Sequence, residues 1–302
     1  MKQKFKALNN KTLTSAALAA FTLFASTAQA FDVWSQSIVG AGNSAISGSG
    51  IGALAFDSHN NSATSTAILN RSWTGLDGNN QSQTMNFQGT TVASSNYGRL
   101  HCYTDGTVTN TYHNANNPIF WDGNNYNENG SPDFLVSLGF AGFNDTLHYG
   151  GSLQAGYKAR YYFHLDGFQS GYGTLADLAF NVDGNPGEGF FETGQGNIST
   201  NWVTQSYEIN GITPQNIGTQ FSTQFVVNTW EVADGSTLSG ISDFSSTLVL
   251  TGIEVLDAND NPVTGWTVTS DSGTIYEAVP EPASLVALSA LAAFVAKRKS
   301  KK

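Results

Sequence analysis

Tyr157-Lys158-Ala159-Arg160-Tyr161-Tyr162-Phe163-His164-Leu165 sets apolar and polar side chains in alternation. Tyr157, Ala159, Tyr161, Phe163 and Leu165 fall on one side, and Lys158, Arg160, Tyr162 and His164 on the other. A period of two is that of a β-strand with one buried face, so both cations are expected to face solvent. Phe134, Val136, Leu138 and Phe140 alternate in the same manner. Further strands are predicted at Met85–Val92, Leu100–Val108, Leu178–Val182, Trp202–Ile209, Phe221–Val232, Thr247–Leu256 and Gly265–Ser270. Turn chemistry separates these runs: Asp105-Gly106, Asp122-Gly123, Asp166-Gly167, Asp183-Gly184, Asn210-Gly211 and Asp234-Gly235.

Helical periodicity is nearly absent between Phe31 and Ala278. Many short antiparallel strands at this spacing predict an all-β domain over 31–278, an antiparallel β-sandwich of jelly-roll-like form. Phe31–Asn70 is poor in large apolar residues and rich in Gly, Ser, Ala and Asn. Two readings of it stand, an irregular strand and loop packed on the sandwich or partial disorder.

Both ends of the chain have a different character. Lys2, Lys4, Lys6 and Lys11 precede a largely apolar stretch from Leu13 to Phe24, and Ala28-Gln29-Ala30 follows. This order is that of a secretory signal peptide over 1–30, its helix removed by signal peptidase after Ala30, with Ala28 and Ala30 as the small residues of the cleavage rule. At the other end, Val279-Pro280-Glu281-Pro282 leads into an apolar run from Ala283 to Ala296, then Lys297-Arg298-Lys299-Ser300-Lys301-Lys302. That run is about 14 residues, or ~21 Å of helix, against a hydrocarbon core of about 30 Å. A short transmembrane helix of this length suits a temporary stop in the inner membrane, with Lys297, Arg298, Lys299, Lys301 and Lys302 held on the cytoplasmic side. Pro280 and Pro282 lack N–H groups and fix φ, so the motif is presented extended beside the bilayer.

The order Pro-Glu-Pro, short apolar helix, basic cluster resembles the C-terminal sorting signal of PEP-CTERM proteins, found in Gram-negative bacteria that make exopolysaccharide. The resemblance covers 279–302. It implies that exosortase, a membrane-embedded Cys transpeptidase, recognises Val279, Pro280, Glu281 and Pro282 and removes the tail. It also implies export to the outer cell surface or an extracellular biofilm matrix. Phe143–Leu147, Ser152–Tyr157 and Leu248–Thr269 loosely resemble strand segments of PEP-CTERM ectodomains, which implies a β-sandwich and no activity.

Setting the two ends aside changes the electrostatics. Between Phe31 and Ala278 the only Lys or Arg residues are Arg71, Arg99, Lys158 and Arg160, whereas every acidic residue of the 23 except Glu281 lies there. Four cations against 22 acids leave the domain near −18. Such a charge disfavours nucleic acid as a partner and is compatible with divalent cations and exopolysaccharide.

The single cysteine, Cys102, excludes an intrachain disulfide. By alternation it shares a face with Leu100, as a buried thiol, and His101 points the other way. The densest oxygen cluster is Asp257-Ala258-Asn259-Asp260-Asn261-Pro262. Asp257, Asn259 and Asn261 have two readings: a hairpin turn between the flanking strands, or ligands for Ca²⁺, which takes 6–8 oxygens. The string resembles the Asp-x-Asn-Asp-Asn motif of cadherin linkers. Trp121 and Tyr126 flank the amide-rich Asp122–Gly130 stretch and could stack on sugar faces while Asn side chains bond hydroxyls; Trp121 also reads as core.

No catalytic signature is found. The five histidines are dispersed without zinc spacing, and neither a nucleophile elbow nor a phosphate loop occurs. A glycosidase needs two carboxyls about 5–10 Å apart across a cleft; Glu188 and Glu192, in glycine-rich context, read as loop residues. The sequence therefore predicts a non-enzymatic matrix protein without a required cofactor. A carbohydrate-binding module, Ca²⁺-dependent if the Asp257 reading holds, is the alternative, and a glycan-cleaving enzyme ranks third.

Overall fold

The computed structural model describes residues 32–42, 51–60, 64–76, 82–112, 134–192, 194–209, 214–228, 232 and 235–277. These residues form fourteen strands: β1 (Asp32–Gly42), β2 (Ile51–Asn60), β3 (Thr64–Leu76), β4 (Ser82–Asn96), β5 (Arg99–Tyr112), β6 (Phe134–Gly151), β7 (Lys158–Gly171), β8 (Thr174–Val182), β9 (Asn185–Glu192), β10 (Gly196–Val203), β11 (Tyr207–Glu208), β12 (Gln215–Asn228), β13 (Thr237–Leu256) and β14 (Trp266–Ser270). They build two seven-stranded antiparallel sheets. The first has order β2-β1-β6-β12-β8-β9, with β14 on β6; the second has order β10-β7-β13-β5-β4-β3, with β11 on β7. The chain changes sheet after β2, β5, β6, β7, β9, β11, β12 and β13, and β12 and β13 insert between β6 and β8 and between β5 and β7.

The alternation of β7 is realised as the sequence predicts. Ala159, Tyr161, Phe163 and Leu165 are buried, and Lys158, Arg160, Tyr162 and His164 are partly exposed on the outer face. Tyr157 lies just before the strand and packs against the same core. Cys102 and Leu100 are both buried inward.

The core between the sheets has two apolar ends and a polar middle. Along β12, Phe221 belongs to one end and Phe225 to the other, with buried Thr223 between them. Along β5 the matching order is Cys102, Thr104, Val108. Thr104 and Thr223 exchange a hydroxyl hydrogen bond of 2.6 Å across the sheets, Thr104 also meets Thr91 at 3.2 Å, and Ser37 meets Ser65 at 2.9 Å. These small hydroxyl residues satisfy one another across the sheets, whereas Ser137 Oγ and Thr219 Oγ1 are buried without a hydrogen-bond partner.

Several expectations are corrected. Asp105-Gly106 and Asp166-Gly167 are not turns; they lie inside β5 and β7. A Cβ on Gly106 would fall 2.0 Å from Phe225 Cδ1, and one on Gly167 would fall 2.1 Å from Phe244 Cδ1. Each glycine is there to admit a ring from the opposite sheet or the neighbouring strand. Asp183-Gly184 does turn, with φ of 52° and 71°, joining β8 to β9. This pair of positive φ values is what a two-residue hairpin loop requires.

Phe31–Asn70 is also more regular than its composition suggests: β1, β2 and most of β3 lie in it, and β1 pairs with both β2 and β6. Buried Ser35 and Ser37 occupy inward positions that larger apolar residues fill elsewhere. The run Trp202–Ile209 is two strands, β10 and β11, both paired with β7 and interrupted at 204–206. There Thr204 donates from its N–H to Tyr161 O at 3.0 Å, and its hydroxyl accepts from Tyr161 N at 3.1 Å. Glu188 and Glu192 lie on strand β9 rather than in a loop.

Phe134–Phe140 alternates as expected, but Val136, Leu138 and Phe140 do not face the core between the sheets. That side is taken by Leu135, Ala141 and Phe143. Val136, Leu138 and Phe140 form a separate buried cluster with Ile38 and Val226 on the far side of the first sheet. β6 is thus buried on both faces, the situation in which alternation stops distinguishing inside from outside.

Candidate functional site

Ala28, Ala30, Val279, Pro280, Glu281, Pro282, the Lys297–Lys302 cluster, Trp121 and Tyr126 lie outside the described residues. The Asp257 turn lies within them. Asp257 Oδ1 accepts hydrogen bonds from the N–H groups of Asn259 (2.8 Å) and Asn261 (2.9 Å), and from Asn261 Nδ2 (3.2 Å). Asp257 N donates to Asn261 O at 2.8 Å, and Asp260 adopts φ 63°. The Asn261 bonds hold the Asp257 carboxyl below the usual range. Lys158 Nζ donates to Asp260 Oδ1 at 2.9 Å. These bonds are those of an Asx-type turn. Asn261 turns its amide nitrogen, not its oxygen, towards Asp257.

The turn is not a hairpin between paired strands, as the sequence suggests. A bridge joins Leu256 to Pro262 and Val263 N donates to Val255 O, but the chain then crosses to the other sheet, where β14 pairs with β6.

The outer face of the second sheet collects charged and aromatic groups. Tyr162 donates to Glu254 Oε2 at 2.6 Å, and Arg160 lies 3.6 Å from the same carboxylate. His164 places Nδ1 2.8 Å from Asn201 Oδ1 and Nε2 2.8 Å from Asp166 Oδ2. The Asn201 bond first, and Asp166 second, raise the His164 pKa. His101 Nδ1 lies 2.7 Å from Ser245 O and makes no pair with Cys102, which points inward. Burial pushes the Cys102 thiol well above its ordinary range, so it has no thiolate character.

A buried, heavily hydrogen-bonded carboxylate holds the last described residues of the chain. Asp145 faces inward on β6 and is fully buried. It accepts from Ser272 Oγ at 2.6 Å, Tyr276 Oη at 2.8 Å, Thr146 N at 2.9 Å and Ser272 N at 3.2 Å. Four donors on one carboxylate offset the cost of burying it. Three of the four come from the segment 271–277, a strap that leaves β14 and runs to the open edge of β13. There Ile253 N donates to Glu277 O at 2.9 Å, past the pairing of β13 with Arg99, the first residue of β5.

Asp271 begins the strap, with its N–H donating to Thr146 O at 3.0 Å and its carboxylate 2.7 Å from His148 Nε2. Tyr276 is buried against Gly98 in the main core. Its burial, and then the Asp145 charge, raise the Tyr276 pKa and keep the phenol a donor. Sequence reasoning passed over Asp145. The signal was a carboxylate at an inward position of an apolar alternation, between Phe143 and Leu147.

No protein-family model matches the chain, and no curated protein matches it.

Proposed function

We propose that this chain is an exported, non-enzymatic protein of the outer surface or exopolysaccharide matrix. It is delivered by the secretory route, held transiently in the inner membrane and processed by exosortase at its PEP-CTERM tail. The observation that carries the reading is the ordered string Val279-Pro280-Glu281-Pro282, apolar run, Lys/Arg cluster in a chain that also carries a signal-peptide pattern. An acidic antiparallel sandwich of jelly-roll-like interleaving, with strongly constrained inward polar groups, supports it as a passive, stable cargo. Deleting Val279–Lys302 tests it: the protein should leave the cell surface. Unchanged surface retention, or a mature mass that still includes both ends, overturns it.

A second reading places exopolysaccharide on the protein as a ligand, through Trp121 and Tyr126 and, with Ca²⁺, the exposed Asp257, Asn259 and Asn261 turn. Calorimetry against the host polysaccharide, with and without chelator, decides it. Heat of binding that chelator abolishes supports a calcium-dependent module; no heat removes it.

A further inference from the structure

We propose that the strap 271–277 is a latch, closed by Asp145, that must open before the tail is processed. The proposal rests on the sorting-tail reading and adds a conformational step to it. Val279 follows Glu277 by two residues, and Pro280 by three. An extended chain spans at most about 3.6 Å per residue, so with the strap closed the tether from Glu277 to the motif is no longer than ~11 Å. An enzyme that grips an extended peptide must engage residues on both sides of the bond it attacks. Only Ala278 separates Val279 from Glu277 and Tyr276, which such a grip reaches next. Both are already committed: Tyr276 is buried and bonded to Asp145, and Glu277 O is bonded to Ile253 N. While it is closed, the strap withholds both residues from a grip that extends upstream of Ala278.

Opening returns seven residues to the tether. Ser270, at the end of β14, becomes the last fixed point, and the folded body can stand about 25 Å further from the membrane. The exposed side of the strap offers a way in. Ile275 is 88 % exposed beside Tyr276 at 6 %, so the segment is held by single inward residues rather than by an apolar face. The bonds of Asp145 with Ser272 and Tyr276 therefore set how often it opens.

Three full-length variants test this. Tyr276→Phe keeps the ring and removes one bond to Asp145. A six-residue Gly/Ser insertion between Glu277 and Ala278 lengthens the tether without touching the latch. The third variant combines them. In pulse-chase experiments in the source cells, tail removal should be about tenfold or more faster in Tyr276→Phe, the population shift from one lost hydrogen bond to a buried carboxylate. The insertion should be at least as fast, and Tyr276→Phe should add nothing to it.

Hydrogen exchange of the full chain in detergent gives a readout independent of processing: the Ile253 amide, bonded to Glu277 O, should exchange faster in Tyr276→Phe. Equal processing rates in all variants, or an unchanged Ile253 amide, overturn the latch. If the tail is removed from none of them, including the parent, the sorting reading itself fails.

Discussion

The ring of Phe225 lies on Gly106: a Cβ built on that glycine would fall 2.0 Å from Phe225 Cδ1 and 2.2 Å from Cε1. One residue is in β12 of the first sheet and the other in β5 of the second. Their contact sets how closely the sheets approach at the end of the core where Phe87 and Phe225 stack with centroids 6.5 Å apart.

Gly106→Ala should therefore cost about 1–3 kcal/mol or more, because the added methyl meets a ring that is itself buried. Phe225→Leu should be destabilising alone, yet less so in the Gly106→Ala background. A denaturation double-mutant cycle should give a coupling energy above ~0.5 kcal/mol. Strict additivity would mean that the ring and the glycine do not constrain each other.

Gln36 lies beside Phe140 on the far face of the first sheet and is 1 % exposed, with neither its amide nitrogen nor its oxygen hydrogen-bonded. Gln36→Met keeps the volume and removes the desolvated amide. The variant should be about 1–2 kcal/mol more stable, seen as a higher denaturant midpoint at unchanged slope. A lower midpoint would show that the amide is satisfied in solution.

Asp177 is buried on the same sheet, opposite Ser222, and burial pushes its carboxyl up from 3.8 to about 6. Between those two values the folded chain keeps a proton that the unfolded chain loses, so stability falls as pH rises through this window and stays lower above it. Asp177→Asn should stabilise the protein by about 1–3 kcal/mol at pH 8 and have little effect near pH 3.5. Melting curves across that range measure it; an equal effect at both ends would separate it from ionisation.

His164 has its pKa raised by Asn201 and Asp166. Its protonated form donates from both ring nitrogens. The stabilisation it gives is fully present below the unfolded value of about 6.5 and is lost as pH rises through the higher folded value. Proton NMR titration should find the folded pKa above 6.5 and lower in Asn201→Ala. The pair is partly exposed, so the accompanying change in stability should be small.

Cys102 is 1 % exposed and its thiol is pushed up by burial. It should resist alkylation in native buffer and react fully in denaturant. Rapid native labelling would place it at a surface.

Alternation made β7 legible at once, since one face meets the core and the other meets water, and hydropathy records that difference. It also located Cys102 and both outward cations. Turn residues were less reliable. Asp183-Gly184 turns because nothing opposes it, whereas Asp105-Gly106 and Asp166-Gly167 stay extended because the glycine hydrogen is needed under a phenylalanine ring. The same dipeptide serves both ends, and only the partner strand distinguishes them. Asp257 and Asn261 read correctly as turn formers, but not as joining two different sheets, because local hydrogen bonds close the turn before the chain crosses.

The sequence by itself determined an all-β chain, the period and outer face of its clearest strand, and the acidic character of the part between its two unusual ends. These depend on local composition and on side-chain period, which are written along the chain. The tertiary structure alone decided which strands are neighbours, that β6 is buried on both faces, and that Asp145 gathers Ser272 and Tyr276 from more than a hundred residues away. Those facts arise from contacts between distant segments, where a buried carboxylate must find its donors wherever the fold brings them.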